Sequence, residues 1–153
     1  MNKLKNLFPP TFQRVFLRTD PNVNAQIRKH TIKNLNIYKN CDPQDITDRI
    51  RKLDQEWDTE RTLEVYAAVM IFLSSYLGVK TRKCWFLVTG AIAVFMIQHG
   101  VQGWCPLLPF IRKWGVRTAE EIMNEKIVLK WIRGDFDKEN MTVDQMLNMV
   151  EKQ

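Results

Sequence analysis

No charged residue occurs between Cys84 and Leu108, and only Glu64 occurs between Leu63 and Val79. The chain also lacks internal repeats, low-complexity tracts and any segment with the alternation of a strand, which predicts an all-α protein. Its three cysteines, Cys41, Cys84 and Cys105, are odd in number and far apart, with no Cys-x-x-Cys. That spacing argues against a disulfide framework and favours a reducing compartment for Cys41. One histidine and one cysteine in the second apolar run cannot complete a tetrahedral zinc site, so no metal and no cofactor are expected. A basic face carrying base-stacking aromatics is also missing, which excludes nucleic acid as a partner. Lys3 and Lys5 are followed by Phe8-Pro9-Pro10 and Arg14 where a signal peptide needs an apolar core, so none is expected. No residue pattern specifies a reaction. The expectation is therefore a non-enzymatic protein with no catalytic residue.

What is present is a pair of apolar runs around the basic hinge Lys80-Thr81-Arg82-Lys83. The mean hydropathy of −0.30 hides them, because polar segments flank the apolar middle third. Two such runs joined by a tight cationic turn predict a two-helix transmembrane hairpin. Leu63 to Val79 is 17 residues, about 25 Å of helix and barely a span. Gly100, Gly103 and Pro106 break the end of the second run, which leaves a span from about Trp85 to Trp104.

Amphipathic helices are expected on both sides. Residues 1–20 read as irregular around Pro9-Pro10. Thr19-Asp20-Pro21 starts a helix to about Lys39, with Val23, Ile27, Thr31, Leu35 and Tyr38 on one side. Asp42 caps a second helix whose stripe is Ile46, Ile50, Leu53 and Trp57, and no breaker separates it from Leu63. After Pro109, Thr118 and Glu121 have capping-box spacing and start a helix to about Ile132. Ile122, Ile127 or Val128, and Trp131 are expected to face inward there, with Gly134 as the stop. Thr142 and Gln145 start a last short helix with Val143, Met146, Leu147 and Val150 on one side. The division is an N-terminal amphipathic region (1–61), a membrane hairpin (62–111) and a helical tail (112–153).

Net charge is +6, and the excess is N-terminal: residues 1–61 hold twelve basic and eight acidic side chains. Such a balance suits contact with anionic headgroups. Seven basic residues lie beside the hairpin ends (Arg49, Arg51, Lys52, Arg61, Arg112, Lys113, Arg117) against three at the hinge. This count predicts both termini in the cytoplasm.

The candidate functional residues cluster at the end of the second run. Cys105, between Trp104 and Pro106, reads as an exposed thiol at the membrane boundary. It could accept sulfane sulfur, form an interchain disulfide or bind a soft metal. Against this, a helix C-terminus raises a thiol pKa, and a small apolar filler fits the same turn. Gln98 and His99 are polar residues in the apolar run, and Gln102 shares a face with His99. Gly100 and Gly103 allow close helix approach, with His99 and Gln102 bonding across the contact. Glu64 reads as an interfacial carboxylate able to interact with Arg61. The alternating acids Asp54, Glu56, Asp58 and Glu60 spread around a helix and have poor metal-binding geometry. Trp57, Trp85, Trp104 and Trp114 suit interfacial anchoring.

Several strings occur together: Leu53-Asp54-Gln55-Glu56-Trp57-Asp58 with Glu60-Arg61, Gln98-His99-Gly100-Val101-Gln102-Gly103-Trp104-Cys105-Pro106, Arg117-Thr118, Glu121-Ile122, Glu125-Lys126 and Arg133-Gly134-Asp135-Phe136. Through them the chain resembles the YgaP-like transmembrane domain of bacterial inner-membrane proteins, a domain of unknown function. The core resemblance covers about residues 60 to 120. It implies a two-helix hairpin whose second helix ends in a Gly-x-Cys-Pro-like turn, in the inner membrane. Some relatives are fused to a rhodanese, a sulfur-transferring domain. This chain lacks a sulfurtransferase active-site loop and resembles a subgroup without rhodanese, so catalysis does not carry over.

The reading is a small bacterial inner-membrane protein, an all-α hairpin between amphipathic cytoplasmic helices. Its expected role is a scaffold or accessory subunit linked to sulfur-compound handling. Its expected partners are the lipid bilayer and a second copy, as a homodimer or a larger membrane complex. The alternatives are an oligomeric transporter or channel using the His99/Gln102/Cys105 face, and a soluble helical bundle that buries both runs.

Overall fold

A computed structural model describes residues 9–136 of the chain. Among the described residues there are seven helices and no strand: α1 (Arg14–Arg18), α2 (Pro21–Tyr38), α3 (Pro43–Asp54), α4 (Thr59–Lys80), α5 (Trp85–Gln102), α6 (Leu108–Lys113) and α7 (Ala119–Arg133). The all-α expectation holds. The helix predicted from Thr142 lies outside the described residues.

α4 and α5 form the hairpin. They hold 22 and 18 residues, about 33 Å and 27 Å of helix against a hydrocarbon core of about 30 Å. Both are long and apolar enough to cross a membrane. Only 6% of the α5 span is buried within the chain. A core helix of a soluble bundle would be mostly covered, so this surface is built for lipid. Leu87, Val94 and Ile97 on α5 and Phe72 on α4 lie open. Inside the hairpin, Ser74 and Thr89 share a hydroxyl hydrogen bond of 2.7 Å. Gly78 lets the Phe86 ring approach: a Cβ there would stand 3.0 Å from it. Near the hinge the two helices are thus joined by hydroxyl contacts and one small residue, the usual glue between membrane helices.

α4 starts earlier than the apolar run. Asp58 accepts a hydrogen bond from the Arg61 backbone N–H at 2.7 Å and caps it. Thr59 is fully buried, and its N–H and hydroxyl both donate to the Arg117 carbonyl, at 2.8 and 2.9 Å. The helix from Ile46 therefore does not continue into the membrane. It ends at Asp54, and Gln55–Asp58 is a break made by this cap. Trp57 falls in the break and leaves the stripe; it is 47% exposed with the Arg61 guanidinium 4.6 Å over its ring.

Two apolar clusters lie at the hairpin's open end. Ile46, Ile50 and Leu53 of α3 pack on Ile122 and Leu129 of α7, with Leu35 and Tyr38 of α2 beside them. Val15, Leu63, Cys105, Leu108 and Ile111 form the second cluster, under the mouth of the hairpin. The α2 start is as predicted, with Asp20 accepting from the Asn22 N–H at 2.7 Å. The Thr118–Glu121 capping box is present in both directions, and Gly134 ends α7 at φ 84°.

Three local expectations change. The stretch before Asp20 contains a short helix, α1, because Val15 plugs the second cluster. Asp42 makes no side-chain cap, and the helix starts on Pro43, whose fixed φ suits the first helical position. On α7, Ile127, Val128 and Trp131 are exposed, while Ile122, Glu125, Lys126, Leu129 and Lys130 are buried. The inward face turns because Glu125 and Lys126 meet charged partners on neighbouring elements.

Candidate functional site

The sequence strings quoted above converge in space. Glu56 accepts from Arg117 Nε at 2.7 Å and Nη2 at 2.6 Å. Glu125, fully buried at its carboxyl, bonds Arg117 and accepts from Arg49 at 2.8 and 3.0 Å. Asp54 pairs with Lys126. Burial alone would lower the Arg117 pKa, but its hydrogen bonds to Glu56 and Glu125 more than offset that and hold it above the ordinary value. Arg112 is buried completely, and Glu121 grips it with two bonds of 2.7 and 2.8 Å. Asn24, Thr19 and the Val116 carbonyl take its remaining donors at 2.9–3.2 Å. This network clamps α2, α3 and α7 to the loop that ends the membrane domain. It is structural: its carboxylates are saturated by arginine and lysine. The four alternating acids divide the work, with Asp54 on Lys126, Glu56 on Arg117, Asp58 on a helix cap and Glu60 elsewhere. Among the described residues no group of three or more His, Cys, Asp or Glu is placed to hold a metal ion.

Glu60 turns toward the end of α5. Its Oε2 lies 2.9 Å from His99 Nε2, and its Oε1 accepts from Arg14 Nε and Nη2 at 3.3 and 3.1 Å. Arg14 Nη1 also donates to the Gly100 carbonyl at 3.1 Å. Gly103 makes this closure possible. It caps α5 at φ 74°, and a Cβ there would stand 2.6 Å from the Arg14 backbone. A left-handed position and a backbone contact together require glycine. The close approach at Gly103 is thus to α1 of the same chain, whereas the corresponding space at Gly100 is open.

His99 is 3% exposed. A carboxylate only accepts hydrogen bonds, so Nε2 donates to Glu60, and Nδ1 is the ring position that gains or gives up the second proton. That Nδ1 is buried and has no hydrogen-bond partner. Cys105 is a polar neighbour of the same ring. An unsatisfied polar atom buried next to a thiol is a costly arrangement unless it serves a purpose. Cys105 itself is 3% exposed rather than open, and it packs in the apolar cluster as well. It follows the α5 terminus and precedes the first turn of α6, and the Leu108 N–H donates to its carbonyl at 3.1 Å. Burial pushes the thiol up, but the His99 ring and nearby backbone N–H groups more than offset it and hold it below its ordinary value, opposite to the expectation from a helix C-terminus.

Of the predicted residues, the fold brings together His99, Gly103 and Cys105. Gln98 and Gln102 are half-buried, and Trp104 and Pro106 are exposed. Glu64 is exposed; the carboxylate that serves His99 is Glu60, one turn earlier. Arg14 and Glu60 were not anticipated as a pair. The available signal was the unmatched His99 in an apolar helix, which required an acid near the mouth of the other.

Residues 58–120 match the family described as inner membrane protein YgaP-like, transmembrane domain. The matched segment starts at the Asp58 cap and contains Glu60, His99 and Cys105, but not Arg14 or Glu125. No curated protein and no solved structure matches the chain. The match covers the hairpin and the loop after it, the part of the chain whose two helices are long and apolar enough to cross a membrane, and it is a similarity to a transmembrane domain of inner-membrane proteins.

Proposed function

We propose that the protein is a non-enzymatic accessory subunit of the bacterial inner membrane that carries sulfur on Cys105, with both termini in the cytoplasm. The supporting observations are the buried His99 Nδ1 without a hydrogen-bond partner and the closeness of the His99 ring to that thiol. Glu60 fixes the ring with Nδ1 free, so Nδ1 takes the thiol proton, and nearby backbone N–H groups favour the thiolate. With a persulfide donor R–S–SH, the thiolate attacks the outer sulfur. The donor S–S bond breaks, a new S–S bond forms on Cys105, and R–S⁻ recovers the proton from His99. The net change is R–S–SH plus Cys–SH to R–SH plus Cys–S–SH, with no external oxidant. Two spans enclose no path of their own, and we infer a homodimer or a larger membrane complex as the working form.

The test uses detergent-solubilised full chain with Cys41→Ser and Cys84→Ser. It is incubated with inorganic polysulfide, a source of HS–SH, and mass spectrometry follows Cys105. The expected result is a gain of one sulfur atom at Cys105, at least tenfold slower in His99→Gln. A Cys105 that takes up no sulfur overturns the proposal.

A further inference from the structure

The thiol of Cys105 has one approach that the ion pairs do not close. An apolar cavity of about 320 Å³ lies in the cleft between α4 and α5, lined among others by Leu63, Tyr66, Ala67, Met70, Phe95 and Met96, and it reaches Cys105. Tyr66, Met70 and Phe95 are 40–50% exposed on the lipid-facing surface of the hairpin, so its mouth opens sideways to the bilayer. Val15, Leu108 and Ile111 share an apolar cluster with Cys105 outside this cavity, and Glu60 joins His99 to Arg14. Of the residues that line the cavity, Cys105 alone carries a thiol.

We propose that this cavity is a ligand site, entered from the membrane, for a lipophilic soft electrophile of the activated-alkene class. The occupant follows from the walls and the floor. Apolar and aromatic side chains with two polarizable thioethers, Met70 and Met96, take an apolar body. The floor is a thiol with a base behind it, which reacts with an electron-poor carbon. The sulfur adds to one carbon of the alkene, the π bond breaks, and the thiol proton passes through His99 Nδ1 to the other carbon. Nothing leaves and no oxidant is needed. The site rests on the same reactive thiol as the sulfur-carrier reading, but it does not require that sulfur be the cargo.

The experiment uses the full chain with Cys41→Ser and Cys84→Ser in phosphatidylethanolamine–phosphatidylglycerol vesicles. Two probes are compared, N-cyclohexylmaleimide and a sulfonated maleimide, each normalised to its rate with a free thiol in water. The cyclohexyl probe is expected to modify Cys105 at least tenfold faster. Ala67→Phe, which fills the cavity, is expected to cut that rate at least tenfold. Met70→Ala, which widens the mouth, is expected to raise the cyclohexyl rate and leave the sulfonated rate unchanged. Equal rates for the two probes overturn the proposal. So does a folded Ala67→Phe with the parent rate or, where Ala67→Phe does not fold, a Met70→Ala with both rates unchanged. Probe selectivity without sulfur loading at Cys105 overturns the carrier reading alone. Sulfur loading without probe selectivity overturns the cavity alone.

Discussion

Replacing Glu121 with Gln tests the clamp at its most buried point. Arg112 has no exposed side-chain surface, and the Glu121 side chain is 17% exposed. The substitution removes one charge and keeps the length. Gln still serves the capping box, because its carbonyl oxygen can accept from the Thr118 N–H as Glu121 Oε2 does at 2.8 Å. What is lost is the counter-charge of a buried guanidinium, while Asn24, Thr19 and Val116 remain as neutral partners. Breaking one side of a buried pair costs about 3–5 kcal/mol. The retained partners place this case at about 3 kcal/mol, which lowers the melting temperature by about 6–12 °C for a chain of this size. Thr118→Ala removes the cap without touching the charge and is expected to cost about 1 kcal/mol. The pH dependence supplies a second signature. Burial would raise the Glu121 pKa, but Arg112 and the Thr118 backbone hold it below its ordinary value of 4.5. A depressed carboxylate contributes stability that is fully present above its unfolded pKa and is lost as pH falls through the folded one. Wild type should therefore lose stability below about pH 4.5, and Glu121→Gln should be flatter there. Thermal unfolding in detergent, followed by circular dichroism from pH 3 to pH 7, reads both. A Glu121→Gln protein within about 0.5 kcal/mol of wild type at pH 7 would refute the reasoning.

Three further outcomes are expected. The protein should remain in the membrane pellet through a carbonate wash, and Val94→Arg, at an exposed position midway along α5, should cost about 2.5–3.5 kcal/mol of insertion; release of wild type by carbonate would remove the membrane reading. A membrane-impermeant thiol reagent on spheroplasts should miss Cys41 and label a Thr81→Cys variant, and the reverse pattern would invert the topology. Gly103→Ala should destabilise by about 1–3 kcal/mol, from left-handed backbone strain plus the displaced α1. Faster tryptic cleavage at Arg14 and Arg18 should accompany it, and unchanged proteolysis would place α1 elsewhere.

The hairpin was legible because charge-free runs and a basic hinge are dictated by the solvent they face. Caps at Asp20 and Thr118 were legible because they are local. The continuity of α3 into α4 was misread because its interruption has no proline or glycine. It comes from Asp58 capping and from Thr59 bonding the Arg117 carbonyl, 58 residues away in sequence. The inward face of α7 was misread for a related reason: apolar periodicity gives no weight to a buried glutamate, and Glu125 faces inward only because Arg49 and Arg117 meet it there. At the site, His99 and Cys105 were found as unusual residues in an apolar segment. Glu60 and Arg14 were not, since they lie 39 and 85 residues before His99 and only the folded hairpin joins them.

The most direct test of the account is the alkylation rate of Cys105 at neutral pH in a chain without Cys41 and Cys84, compared with the same chain carrying Glu60→Gln or His99→Gln. If Nδ1 activates the thiol and Glu60 orients the ring, wild type reacts fastest, Glu60→Gln is intermediate, and His99→Gln is at least tenfold slower at unchanged helical content. A His99→Gln protein that reacts at the wild-type rate would contradict the account and leave Cys105 as a packing residue.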